Sequence, residues 1–144
     1  MRQLSESIEI SASPERIWKI LADFDTYPQW NPFIRSIKGD MREGNRIRVI
    51  LHPPGKKDFV VVPKVLSCKA RSEFIWLGHL LVPGIFDGEH IFRIERIAEN
   101  RTMFTQKELF NGLFLPFIWP SIKENTREAF IMMNQALKKK SENS

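Results

Sequence analysis

The stretch DFDTYPQWNPF at residues 23–33 separates two parts of the chain that differ in hydrophobic periodicity. Pro28 and Pro32 exclude a long helix across it, because proline lacks a main-chain N–H and its ring clashes with the preceding helical turn. We therefore predict one or two short helical turns over residues 25–32. The parts on either side of this stretch define the rest of the fold.

Before the stretch, the sequence predicts a strand followed by a helix. Residues 4–10 alternate between apolar and polar side chains, which is typical of a strand with one buried face. Ser13 and Pro14 suit the cap and the first position of a helix. The apolar face of that helix has helical spacing: Ile17, Ile20, Leu21 and Phe24.

After the stretch, alternation predicts six strands joined mostly by short turns, and therefore an antiparallel meander. The predicted strands cover residues 34–40, 45–52, 58–68, 71–80, 89–97 and 101–110. Pro63 lies inside the third of them, which indicates an edge, a bulge or a break there. A long amphipathic helix follows, beginning within residues 117–122 and ending near residue 139, and its apolar face can cover the sheet.

The composition is that of a single globular domain. The 144 residues are 42% hydrophobic, and 22 Lys and Arg against 17 Asp and Glu give a net charge of +5. We predict one domain over residues 1–144, with an ordered core at about 4–138 and a basic tail at 138–144. The N-terminal residues lack the apolar segment of a secretory signal, and no run approaches the ~20 apolar residues of a membrane span, so we expect a cytoplasmic protein.

Several kinds of site have no motif in this sequence. A single cysteine excludes an internal disulfide and any cage of several cysteines around a metal. His79 and His90 flank one connection without an assigned third ligand, so we predict no metal and no cofactor. The lysines at 138–140 are typical of a solvated helix end, and no nucleic-acid-binding motif accompanies them, so nucleic acid is not an expected partner. The oligomeric state stays open.

Five phrases spread over nearly the whole chain carry a family resemblance. They are SASPERIW at 11–18, the stretch at 23–33, FDGEHIFRIE at 86–95, FTQKELFNGL at 104–113 and NTREAFIMMN at 125–134. Together they resemble the SRPBCC superfamily, also known as START-like or helix-grip proteins, and in particular its polyketide cyclase/dehydrase-like members. The resemblance implies an α+β helix-grip fold, in which a seven-stranded antiparallel sheet curls around the long C-terminal helix and an internal hydrophobic cavity, with two short helices after the first strand.

The resemblance leaves the function open, because the superfamily includes lipid and hormone binders, aromatase/cyclases and partners of a chaperone ATPase. Alternate connections of a meander lie at the same end of the sheet, which brings three loops together: residues 52–57, 81–86 and 112–120. The last two are apolar, although surface loops are normally polar. We predict the entrance of the cavity there, guarded by Phe86, Phe114 and Phe117.

Two other interpretations of these loops stay open. Both apolar loops can fold inward and fill the core. Alternatively, Phe86, Phe114 and Phe117 can contact a membrane surface peripherally while Lys56 and Lys57 meet anionic headgroups.

Two polar side chains on predicted inward faces are candidates for chemistry. His90 alternates with Phe92 beside the predicted entrance, and a buried histidine can hold a ligand carbonyl or exchange a proton. Glu108 shares a strand face with Phe104, and an inward carboxyl can donate a proton or accept a hydrogen bond from a ligand. The alternatives are a structural His90 bonded to a backbone carbonyl and a solvated Glu108.

Trp76 is the third candidate, because Gly78 on the same strand face leaves room for a flat ligand beside the indole ring, although a packed core tryptophan is the alternative. The predicted cavity wall is Trp76, His90, Phe92, Phe104, Glu108, Phe130 and Met133. We expect the protein to bind or sequester a small hydrophobic ligand there, of lipid or polyketide type as the resemblance implies, with apolar burial supplying affinity.

Two other functions use the same features. An enzyme of cyclase or dehydratase type would use His90 and Glu108 as acid and base. A co-chaperone-like interaction module would instead bind a protein partner through its apolar loops.

Overall fold

The structure, a computed structural model, describes residues 1–80 and 82–143, so Leu81 of the predicted entrance loop lies outside the described residues. The elements in chain order are β1 (Arg2–Ile10), α1 (Pro14–Ala22), a 3-10 turn (Phe24–Thr26), α2 (Tyr27–Trp30), β2 (Ile34–Lys38), β3 (Arg48–Leu51), β4 (Phe59–Val61), β5 (Lys64–Lys69), β6 (Glu73–Leu80), β7 (Phe86–Ala98), β8 (Arg101–Asn111) and α3 (Leu115–Glu142).

The strands form two antiparallel sheets, in the orders β1-β8-β7-β6-β5 and β2-β3-β4. The predicted strand at 58–68 is therefore wrong as one element, and the predicted seven strands are eight. The chain breaks at Pro63, which has no N–H to continue a ladder, so β4 and β5 fall in different sheets. The carbonyl of Pro63 instead accepts a hydrogen bond from the N–H of Ile47 at 3.0 Å.

The stretch at 23–33 forms the predicted short turns and is held by two buried polar side chains. The Tyr27 hydroxyl donates to the carbonyl of Leu21 at 2.6 Å, which ties the stretch back to α1. Burial raises the pKa of Tyr27, and the nearby charge of Asp23 adds to that shift. The Asn31 side-chain oxygen accepts from the N–H of Ile34 at 2.8 Å, so the chain turns directly into β2.

The long helix α3 extends beyond the predicted bounds at both ends. It begins before Pro116, which is tolerated because the first helical N–H groups need no partner within the helix. Its last turn runs through most of the predicted basic tail. The Arg16 guanidinium donates to the carbonyls of Ser141 at 2.7 Å and of Asn143 at 2.9 Å, and these bonds hold that turn in place.

The core lies between the curled sheet and one face of α3. Four apolar side chains of α3 are almost completely buried there: Ala129, Phe130, Met133 and Leu137. They pack against aromatic and branched side chains of the sheet that are buried to the same extent, including Ile10, Phe92 and Phe104. Among the described residues, no helix is long and apolar enough to span a bilayer.

Candidate functional site

A cavity of about 400 Å³ lies between the first turns of α3 and the curled sheet. Most of its wall is apolar and comes from both sheets, from the loops beside them and from α3: Phe33, Leu51, Phe59, Val61, Trp76, Phe86, Phe110, Ile118 and Ile122. A volume of this size falls in the range of about 300–1,000 Å³ typical of small-molecule pockets. A second concavity, beside residues 22–25 and 39–41, is lined by none of the predicted site residues.

Two glycines explain why no side chain of the sheet fills this cavity. Gly78 of β6 is the cross-strand partner of Gly88 of β7, so the sheet carries no side chain at that point. A Cβ on Gly88 would lie 2.3 Å from Oε2 of Glu108, far inside van der Waals contact. The absence of a side chain at Gly88 therefore makes room for the Glu108 carboxyl inside the cavity.

His90 and Glu108 are adjacent in the cavity wall, because they are cross-strand partners in the β7–β8 ladder. Nδ1 of His90 lies 3.4 Å from Oε1 of Glu108. The side chain of His90 is 3% exposed and that of Glu108 is 18% exposed. The structure thus places the carboxyl on the inward face, with access to whatever occupies the cavity.

A chain of buried amides fixes the orientation of the His90 ring. The main-chain carbonyl of Glu6 can only accept, so the Asn134 amide N–H donates to it at 3.1 Å and turns its oxygen toward Gln106. The Gln106 amide N–H then donates to Oδ1 of Asn134 at 2.8 Å and to the carbonyl of Phe130 at 3.3 Å. The remaining oxygen of Gln106 faces Nε2 of His90 at 3.1 Å, so Nε2 must carry a hydrogen.

This tautomer determines what the ring of His90 presents to the cavity. With the hydrogen on Nε2, Nδ1 of a neutral ring carries the lone pair and can accept a hydrogen bond or a proton. Histidine and carboxyl side chains are the usual general acids and bases of enzymes, so these two groups, 3.4 Å apart in the cavity wall, are suited to exchange protons with a ligand.

The predicted wall residues divide into two layers. Trp76 lines the cavity with His90 and Glu108, and its ring lies 5.0 Å from that of His90, centroid to centroid. The other four predicted wall residues are almost fully buried in the packed core behind His90 and do not line the cavity: Phe92, Phe104, Phe130 and Met133. Behind His90, large side chains fill the space between the sheet and α3. Nearer the entrance, Gly78 and Gly88 leave that space open.

The predicted entrance residues also divide. Phe86 lines the cavity and stacks on Phe110 with ring centroids 5.9 Å apart. Phe114 and Phe117 do not line the cavity and point outward at its mouth. The loops that carry them meet, because the N–H of Phe114 donates to the carbonyl of Ile85 at 3.0 Å.

Sequence reasoning missed the amides that orient His90. Gln106 lies on the same inward strand face as Phe104, and Asn134 follows Met133 on the buried face of α3. A polar side chain at an apolar position of a periodic pattern is the signal that marks both. Pro53, Lys56 and Lys57 of the first loop also line the mouth.

A second histidine–carboxylate pair lies at the cavity end of the sheet. Nδ1 of His79 is 2.7 Å from Oδ1 of Asp87, and both Asp87 oxygens accept from the N–H of Gly84 at 3.1 Å. Burial alone would raise the pKa of Asp87, but these hydrogen bonds lower it overall. Within residues 1–80 and 82–143, no group of three or more His, Cys, Asp or Glu side chains is arranged to hold a metal.

Comparison with known proteins supports the fold derived from the residues. A family model described as polyketide cyclase/dehydrase and lipid transport matches residues 1–142. A START superfamily protein from Mycobacterium smegmatis is similar, with 23% identity, a TM-score of 0.77 and 97% of each chain covered. The Zhui aromatase/cyclase from Streptomyces sp. R1128 superposes with a TM-score of 0.73 at 13% identity, over 98% of this chain and 93% of that one.

The protein XoxI from Bacillus cereus has a TM-score of 0.72 at 17% identity, over 99% of this chain and 97% of the other. Curated protein sequences gave no match. At these identities the structural likeness carries the fold alone, and it confirms the predicted α+β helix-grip class.

Proposed function

We propose that this chain, which belongs to the polyketide cyclase/dehydrase and lipid transport family, binds a small and largely apolar molecule in the cavity between α3 and the sheet. The observation that carries the proposal is an apolar cavity of about 400 Å³ with one buried polar cluster in its wall. Family membership supports a ligand-binding or cyclase role without selecting a ligand.

The ligand that fits this wall is mostly apolar and carries one polar group. Its body contacts Trp76, Phe86 and Phe110, and each 100 Å² of apolar surface that it buries contributes about 2.5 kcal/mol before the entropic cost of association. Its polar group, a hydroxyl or an amine, donates to the carboxyl of Glu108 beside His90. One polar contact in an apolar wall selects orientation more than it adds affinity.

Titration with the neutral fluorescent probe N-phenylnaphthylamine tests the proposal. The probe joins an apolar body to one N–H donor, and we expect saturable binding of one molecule per chain. Gly78→Phe places a ring in the open space beside Trp76 and should abolish this binding, because a Cβ at Gly78 meets only Pro63 at 3.7 Å. Phe117→Glu, outside the cavity, is the matched control and should bind the probe as the unaltered protein does.

Undiminished binding by Gly78→Phe would contradict the proposal, and loss of binding in Phe117→Glu would place the probe on the outer surface instead. A thermal melt of each variant shows whether it is folded.

The adjacent side chains of His90 and Glu108 in the cavity wall support a second candidate function, acid–base catalysis on a carbonyl held in the cavity. Glu108→Gln keeps the shape of the side chain but removes the exchangeable acid. An enzyme should lose turnover of its substrate by about 10²-fold or more while its affinity changes little. A carrier should form no product with either protein and lose only affinity.

A further inference from the structure

Four large apolar side chains are exposed on the two loops that adjoin the cavity, before β7 and from β8 into the first turn of α3. Val82 is 55% exposed, Leu113 70%, Phe114 46% and Phe117 81%. We name these four residues the rim patch. Scattered apolar side chains on a surface are normal, but a contiguous group of large ones marks a contact surface.

The two loops that carry the rim patch are joined by main-chain hydrogen bonds. The N–H of Leu113 donates to the carbonyl of Gly84 at 2.9 Å, and the N–H of Phe114 donates to that of Ile85 at 3.0 Å. Gly112 has a φ of +132°, and a Cβ there would lie 2.4 Å from the carbonyl oxygen of Ile85. The glycine therefore permits the close approach that joins the two loops.

Two lysines lie at the same end of the molecule. Lys56 and Lys57 line the cavity, and within the described residues neither forms an ion pair. The carboxylate that follows them, Asp58, is 3.8 Å from the Arg35 guanidinium and 2.6 Å from His52. Asp87 accepts hydrogen bonds from the N–H of Gly84 and lies 2.7 Å from Nδ1 of His79.

We propose that the rim patch docks this end of the molecule on an anionic lipid surface, with the four apolar side chains in the acyl region and Lys56 and Lys57 against the headgroups. An apolar group flanked by unpaired lysines is the combination that interfacial proteins use. A symmetric dimer through the same patch would bring the lysines of one copy toward those of the other, which like-charge repulsion opposes. The mouth would then face the bilayer, so a ligand of the kind proposed above could pass between membrane and cavity without crossing water.

Sedimentation with lipid vesicles tests the docking. We expect the full chain to bind vesicles of phosphatidylcholine containing one third phosphatidylglycerol, to bind pure phosphatidylcholine much more weakly, and to dissociate in high salt. Phe117→Glu should lower partitioning at least about tenfold, since it removes a ring that would enter the bilayer and adds a charge that the anionic surface repels. Lys56→Gln should lower it about fivefold on the anionic vesicles alone.

The control variant is Ile97→Glu, at a side chain 48% exposed in the β7 end that turns into β8, away from the cavity. It should sediment as the unaltered protein does. No binding to anionic vesicles, or equal loss in Ile97→Glu and Phe117→Glu, would overturn the proposal. A dimer in light scattering that Phe117→Glu dissociates, without vesicle binding, would also overturn it and assign the rim patch to self-association. Binding of N-phenylnaphthylamine is measured separately, so docking and ligand binding can fail independently.

Discussion

At the scale of single residues, the site depends on two groups that can accept hydrogen bonds but cannot donate them: the main-chain carbonyls of Glu6 and Phe130. They orient Asn134 and Gln106, and through them the ring of His90. A buried polar group without a partner costs about 1–3 kcal/mol, so this chain of amides is a strong constraint on which nitrogen of His90 carries the hydrogen. Glu108 completes the arrangement because Gly88 leaves room for it.

Gly88→Ala should weaken ligand binding without unfolding the protein. The new methyl would lie 2.3 Å from Oε2 of Glu108, and the carboxyl, as the mobile end of a side chain, can turn away from it. The polar contact with the ligand would then be lost, and we expect affinity for N-phenylnaphthylamine to fall about tenfold.

Gly78→Ala is the matched variant on the partner strand, because its methyl meets only Pro63 in ordinary contact at 3.7 Å. Equal affinities for the two variants, measured by fluorescence titration, would show that the position of Glu108 does not matter for binding.

At the scale of the elements, both ends of α3 are held by contacts with distant parts of the chain. Oε2 of Glu142 accepts from Nζ of Lys138 at 2.6 Å and from the N–H of Ser11 at 2.8 Å, which ties the last turn to the end of β1. At the other end, Gly112 lets the chain leave β8 and pass closely over Ile85 before α3 begins.

The contacts of Glu142 predict a pH-dependent contribution to stability. The hydrogen bond from Lys138, followed by that from the Ser11 N–H, lowers the pKa of Glu142 below its ordinary value of 4.5. A carboxyl whose pKa is lowered by folding stabilises the folded state fully at any pH above its ordinary pKa. That stabilisation is lost as the pH falls through the lowered pKa of the folded state.

Glu142→Gln should therefore lower Tm at neutral pH, by no more than about 3 °C for so exposed a group, and the difference should vanish in acid. Thermal melts across pH measure this. Glu128→Gln, at an exposed position of the same helix, should show no such trend. A difference for Glu142→Gln that persists at the lowest pH would contradict the assignment.

Gly112→Ala should destabilise the protein more than Gly84→Ala does. Both glycines have positive φ, at +132° and +93°, a backbone conformation that residues with a side chain rarely adopt, so alanine is strained at either position. Only at Gly112 does the added Cβ also strike a backbone atom, the carbonyl oxygen of Ile85 at 2.4 Å, whereas nothing lies within 4 Å at Gly84. Urea unfolding of both variants separates the two costs, and equal losses would show that the loops separate freely.

At the scale of the whole molecule, local signals predicted the order of elements well. Alternation, the Ser13 cap and the prolines of the 23–33 stretch act within a few residues, and Ser13 does accept from the N–H of Arg16 at 3.2 Å. Pro63 did indicate an edge, a bulge or a break, but the division of the two halves between two sheets was not predictable, because it depends on which distant strand each half meets. The extension of α3 through the basic tail was missed for the same reason, since Arg16 lies 125 residues from Ser141.

The candidate site was predictable only in part for a related physical reason. Strand faces indicated that His90, Glu108 and Trp76 point inward, because alternation is local. The depth at which the cavity ends depends on how side chains of β7, β8 and α3 pack together in the space between the sheet and the helix. Sequence periodicity places Phe92 and Phe104 on the correct face, but it does not show that they pack behind His90 and not beside a ligand.

Native mass spectrometry of the purified chain, with solvent extraction of whatever is bound, tests the central claim most directly. We predict a mass increment of one small molecule per chain that extraction identifies as largely apolar with a single polar group. The Gly78→Phe variant should carry no such increment, because its ring fills the space between Gly88 and Trp76. A bare mass for the unaltered protein, together with no saturable binding of N-phenylnaphthylamine, would contradict the account.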